Sequence, residues 1–334
     1  MIGATSVDFA ASVPGCGKEV RSSPIASGFS PITHLRHVGL AVPNYEQAVE
    51  FYTKVWGLLP VASDSGVTFF GTPADPEHYI LRLREDRQKR LDLIAFAAES
   101  IGEVDLLAER LGRAGVKIDR DPAMLTTPGG GYGLRFFDLD GRLIEVSAEV
   151  QQRPFRLLEE RESIPRKLSH VVINSTDVHK TKAFYETHLG FRLSDWLGDL
   201  MCFMRSSSQH HILAISRAPS TSLNHISFEM RGLDEYMRGT GRMIRSGYRP
   251  LWGPGRHSAG DNTFSYFFDP LDNVIEYTTE LELVDEATWE PTTYDPMRAE
   301  TQDQWGTGGA MTEVMLPIML KQRDDDGLWS PSPV

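Results

Sequence analysis

Cysteine is nearly absent from this chain, with only Cys16 and Cys202 among 334 residues. One pair cannot make a disulfide framework, so both are expected to be reduced and structural. Positive charge is also short. Lys and Arg number 34 against 46 Asp and Glu, giving a formal charge of -12 and a pI near 5.3. No basic stripe interrupts that balance, which argues against a nucleic-acid partner. No apolar run approaches the roughly 18 residues of a membrane span, and the start lacks the basic and apolar regions of a signal peptide. The expectation is a cytoplasmic protein with no membrane partner. What the chain does have is 40% hydrophobic residues, enough to fill two cores.

The two halves resemble one another. His34–Val42 (HLRHVGLAV) matches Arg166–Ser175 (RKLSHVVINS) and sets His37 against His170. The same offset carries Phe51-Tyr52 onto Phe184-Tyr185 and Gly57 onto Gly190, each at the end of a helix-like stretch. Further on, LRFFDLDGRLIEVSAE matches SYFFDPLDNVIEYTTE and sets Glu145 against Glu276. An offset kept over so long a span indicates a duplicated domain. Each half repeats a short apolar strand, an amphipathic helix and several alternating stretches, which reads as βαβββ twice per half. The expected fold class is therefore α+β, with two tandem domains built from paired βαβββ modules. The expected division is an arm over 1–33, a first domain over 34–150, a linker over 151–166, a second domain over 167–282, and a tail or lid over 283–334.

Two imidazoles and one carboxylate on one face of a metal leave adjacent positions free for substrate and dioxygen. His170 in LSHVVI, His225 in LNHISFEM and Glu276 in NVIEYTT offer that set from three predicted strands. A single strand histidine is ordinarily a hydrogen-bonded, half-buried residue. The duplication sharpens the choice: the first-half counterparts are His37, Leu93 and Glu145, and leucine cannot ligate. Only the second half retains the full set.

These residues, together with QHHILAI (Gln209–Ile215), LNHISFEM (Leu223–Met230) and GPGRHSAGDNTFSYFFDPLDNVIEY (Gly253–Tyr277), resemble the type I extradiol catechol dioxygenases of the vicinal oxygen chelate superfamily. The resemblance covers about residues 34 to 282. In that family a histidine precedes an alanine on the strand before the second ligand, as His211 precedes Ala214, and Gly255-Arg256-His257 stands at the family's spacing from Tyr266 and Glu276. Ser265 and Asp272 depart from the pattern, where the family has an apolar residue and a glycine.

The resemblance implies Fe(II), with Mn(II) as the alternative, held in the C-terminal barrel by His170, His225 and Glu276. It implies a catechol and dioxygen as partners and a homo-oligomer, a tetramer above others. His211 would hydrogen-bond the bound oxygen and supply a proton at O–O cleavage, while His257 and Tyr266 would hold the substrate side. Relatives that take carboxylated catechols carry arginines where this chain has Trp252 and Gln302. An uncharged, bulky catechol is therefore expected, with Trp252 and Phe203 lining its pocket. His210 is expected on the opposite strand face, without a catalytic role. His34, His78, His179 and His188 are expected to be structural or solvated, as are Trp289 and Trp305, although Trp305 is a candidate cover for the site. The competing readings are a glyoxalase-like or ketoacid-oxygenase activity, and a metal-free binding module.

Overall fold

A computed structural model describes residues 30–309, 311–321 and 327–334. Residues 1–29 of the expected arm, Cys16 among them, lie outside it.

The first domain runs β1 (Ile32–Val42), α1 (Tyr45–Glu50) with a π-helical continuation over Phe51–Trp56, β2 (Leu59–Asp64), β3 (Val67–Gly71) and β4 (Leu81–Glu85). It repeats the plan as β5 (Arg90–Ala98), α2 (Ile101–Arg113), β6 (Ile118–Met124), β7 (Tyr132–Phe137) and β8 (Leu143–Ala148). The sheet order is β2-β3-β4-β1-β5-β8-β7-β6, two βαβββ units joined along the antiparallel β1·β5 pair.

The second domain follows the same path: β9 (Lys167–Ser175), α3 (Val178–Leu189), β10 (Arg192–Leu197), β11 (Met201–Arg205), β12 (Leu213–Arg217), then β13 (Ser222–Glu229), α4 (Leu233–Arg245), β14 (Trp252–Arg256), β15 (Thr263–Phe268) and β16 (Val274–Thr279). Its sheet reads β14-β15-β16-β13-β9-β12-β11-β10, closed at the edge by β17 (Thr292–Tyr294) from the tail. The tail also forms α5 (Ala299–Gln302) and α6 (Met315–Lys321). Among the described residues no helix is long and apolar enough to cross a membrane.

Local chemistry sets the helix ends. Asp177 caps α3 by accepting from the Lys180 amide at 3.1 Å, and the helix stops at Gly190, whose φ of 71° suits a residue without a Cβ. The first-domain helix stops at Gly57 with φ 96°. Asp272 carries the left-handed turn at the family's glycine position with φ 59°, a conformation Asp and Asn tolerate better than most residues.

The duplication extends to the domain contact. Tyr52 donates to Asp269 Oδ2 at 3.0 Å, and Tyr185 donates to Asp138 Oδ2 at 3.0 Å. Each domain's helix thus bonds the turn before the last strand of the other. Trp56 stacks on Tyr277 at 3.7 Å between ring centroids, and one apolar cluster runs through both domains.

Candidate metal centre and substrate cavity

The register of the second sheet explains why three distant residues meet. Ser227 on β13 pairs with His170 on β9 and with Glu276 on β16. Directly opposed residues share a sheet face, and alternation returns His225 to that face on β13. Their atoms converge: His170 Nε2 lies 3.1 Å and His225 Nε2 3.5 Å from Glu276 Oε2. The candidate ligand atoms all fall within 4.8 Å of one another.

The flanking residues aim the rings. Asn224 Oδ1 lies 2.8 Å from His225 Nδ1, and the Asn224 amide nitrogen donates to Asn174 at 2.9 Å. A carbonyl oxygen only accepts, so His225 carries its proton on Nδ1 and turns a lone pair at Nε2 toward Glu276. Ser169 Oγ meets His170 Nδ1 at 3.0 Å, and its hydroxyl can accept when that nitrogen carries the proton. His225 Nε2 and Glu276 Oε1 are buried without a hydrogen-bond partner. Unmet buried lone pairs are costly. A divalent cation satisfies them, and the N, N, O set suits one.

Burial raises the Glu276 carboxyl, but the His170 and His225 imidazoles beside it prevail and hold it well below the usual carboxylate range. Burial pushes His225 and His211 down, and pushes His257 down to about 4. Burial, then the nearby Glu276 charge, raises the Tyr266 hydroxyl well above 10.

The matching place in the first domain is filled by protein. His37 is opposite Ala95, and Ala95 is opposite Glu145. Leu93 pairs with Gly39, two positions beyond His37, just as His225 pairs with Val172, two beyond His170. Leu93 is thus the structural counterpart of His225. Glu145 binds the buried Arg135 at 2.8 Å instead. Burial and the cations of Arg82, Arg36 and Arg135 push His37 well below its ordinary value.

Beside the second-domain cluster lies a cavity of about 440 Å³. His170, Phe203, Trp252 and Tyr266 all line it, although β14 and β11 stand six positions apart in the sheet order. At about 4.8 Å per strand, a flat sheet would hold them nearly 30 Å apart. The sheet therefore curls around the cavity, and the tail closes it with Met297, Gln302, Met311, Leu316 and Met319. His211 and His257 also face it. His257 Nδ1 lies 2.9 Å from the Gln302 carbonyl and Nε2 lies 3.1 Å from Tyr266 Oη. The tyrosine hydroxyl accordingly donates to a neutral His257. Trp252 stacks on Tyr266 at 5.6 Å and 11°.

Arg217 is the single charged residue lining the cavity among those described, and it is paired with Asp199 at 2.9 Å. Arg256 turns away to Asp261 and Glu280, and exposed Arg298 faces Asp295. Trp305 does not line the cavity and lies against Arg256.

Ser169, Asn224 and the tail methionines were not singled out from sequence. The first two could have been, since each immediately precedes a ligand. His210 is absent from the cavity lining that includes His211, but strand alternation is not the reason, since residues 206–212 lie between strands. His210 Nδ1 meets His211 Nδ1 at 2.9 Å. His34 contacts Glu77, His78 the Gln151 carbonyl, His179 Trp196 and His188 Phe184, all outside the cavity.

Fold and cluster together define a tandem βαβββ protein with a candidate metal centre in one of its two domains. The chain belongs to the Glyoxalase/Bleomycin resistance protein/Dioxygenase superfamily, whose family model matches residues 34–146 and 167–277. It is 27% identical to metapyrocatechase 2 of Cupriavidus necator over 78% of this chain and 85% of that protein. The crystal structure of the Mn(II)-bound glyoxalase from Novosphingobium aromaticivorans superposes with a TM-score of 0.85 at 42% identity, covering 91% of this chain and 99% of that one. Homoprotocatechuate 2,3-dioxygenase of Arthrobacter globiformis superposes at 0.79 with 22% identity, covering 92% and 97%, which shows the shared fold.

Proposed function

We propose that this protein is an extradiol dioxygenase that opens the ring of an uncharged, bulky catechol, using Fe(II), with Mn(II) as competing occupant, on His170, His225 and Glu276. The observation that supports it most is the joint position of His211, His257 and Tyr266 around a buried His-His-Glu set on one apolar cavity. When bound, a divalent metal acidifies a chelated diol and relays electrons between diol and dioxygen. The protein's part is binding and proton handling. Tyr266, its hydroxyl oriented by neutral His257, holds a substrate oxygen. His211, buried beside His170 at 4.4 Å between ring centroids, exchanges a proton with the reacting oxygens.

The walls select the substrate. Phe203, Trp252, Leu316 and Met319 suit a hydrophobic substituent. A carboxylate would enter without a free guanidinium to bind it. Assembly as a homo-oligomer, a cytoplasmic location and the division into arm, two domains, linker and tail belong to the same reading and rest on sequence.

The likeness to a protein described as a glyoxalase favours one second reading, an isomerase using the same ligands. Dioxygen consumption separates the two. Fe(II)-loaded protein given a 3-arylcatechol is expected to take up one dioxygen per diol and form a yellow product; turnover without oxygen uptake would support the isomerase.

A further inference from the structure

Behind His211 stands a second buried imidazole and a buried carboxylate that the proposed chemistry does not use. His210 Nδ1 faces His211 Nδ1 at 2.9 Å, and His210 Nε2 lies 2.8 Å from Asp195 Oδ2. All three side chains are buried. The other Asp195 oxygen accepts from the Thr292 amide at 2.7 Å, where the tail's β17 joins β10. Trp289 covers His210 at 5.6 Å and donates to the Ser194 carbonyl. The His210 amide donates to Glu282 at 2.9 Å, and its carbonyl accepts from Ser194 Oγ. A Cβ on Gly260 would approach both rings, at 3.0 Å from His210 Nδ1 and 3.2 Å from His211 Cε1. These contacts hold the pair in one place.

The proton arrangement follows from what each atom can do. A carboxylate only accepts, so His210 Nε2 carries a proton toward Asp195. With His210 neutral, its Nδ1 is a lone pair, and the one hydrogen between the facing nitrogens belongs to His211 Nδ1. His211 must therefore present an unprotonated Nε2, which has no partner among the described residues.

We propose that Asp195 and His210 are positioning residues that fix the tautomer of His211, so that Nε2 meets the substrate as a base. They also give a removed proton somewhere to go. When His211 Nε2 takes a proton, the hydrogen on its Nδ1 passes to His210 Nδ1. His210 becomes an imidazolium against the Asp195 carboxylate, and His211 ends neutral with a proton on Nε2. The reverse shift accompanies the return of that proton to the reacting oxygens, so no proton is gained or lost over the cycle. The hydrogen-bonded Asp–His pair thus acts through a second imidazole rather than on substrate.

This inference rests on the dioxygenase reading, but its test does not depend on activity alone. In full-length, Zn(II)-loaded, ¹⁵N-labelled protein, two-bond ¹H–¹⁵N spectra should show His211 protonated at Nδ1 and bare at Nε2, the resonances being assigned by their loss in H211Q. D195A should mix the two tautomers. In the Fe(II) enzyme, D195N and H210Q should lower kcat by about 10- to 100-fold with KM and bound metal unchanged, and D195E should recover part of it. Three results would overturn the proposal: an Nε2-protonated His211 in the native protein, variants with native kcat, or activity lost only in proportion to metal or folded protein. A native enzyme that consumes no dioxygen yet shows the Nδ1 tautomer would instead sink the dioxygenase reading alone.

Discussion

Glu145 and Glu276 occupy the same place on the last strand of their domains, yet Glu145 faces the Arg135 guanidinium at 2.8 Å and Glu276 faces the His170 imidazole at 3.1 Å. Where the second domain presents the candidate ligand set, the first holds a built-in cation. Metal content should accordingly be about one per chain and reside wholly in the second domain. H225L, which copies Leu93, should abolish binding, while L93H should add none because Arg135 still fills the position. Elemental analysis of desalted protein reads both; a second metal in L93H would contradict this account.

The Arg135–Glu145 pair should behave as a buried ion pair. R135A strands Glu145 and is expected to cost about 3–5 kcal/mol, whereas R135M/E145L together should be close to neutral. Urea unfolding of both variants beside the native protein measures the difference.

The reciprocal Tyr52–Asp269 and Tyr185–Asp138 bonds should contribute similarly. Y52F and Y185F are each expected to cost about 1–3 kcal/mol, since each leaves a buried carboxylate one donor short. Equal losses in chemical denaturation would match the symmetry seen here.

Glu77 supplies a pH signature away from the metal. Burial raises its carboxyl, but His34 and Arg36 outweigh that and hold it below its ordinary value of 4.5. A depressed folded pKa gives stability that is present above the unfolded value and lost as pH falls through the folded one. E77Q should therefore cost about 1–2 kcal/mol near pH 7 and progressively less below about pH 4. Melting curves across that range would show the two proteins converge.

Much of this was legible in the sequence, for physical reasons. Duplication fixes relative register, so aligning Leu93 with His225 anticipated the pairing that the sheets display. Gly57 and Gly190 marked helix ends because a left-handed turn without a Cβ costs little. The contact of His210 with His211 was not legible because the expectation for it rested on a two-residue alternation that applies only within a strand, and its segment is not one. The guanidinium in the first-domain site escaped because Arg135 reaches Glu145 across a strand pair. The tail methionines lie far along the chain from the cavity they close, and nothing in their local pattern reveals that packing.

The central claim is tested most directly by oxygen uptake. Protein loaded anaerobically with Fe(II) should, on adding a 3-arylcatechol and then air, consume one dioxygen per diol and yield a yellow ring-opened product, with homoprotocatechuate turned over at least about tenfold less efficiently, a difference of ~1.4 kcal/mol. Folded, metal-loaded protein that takes up no oxygen with any diol in that panel would contradict the account.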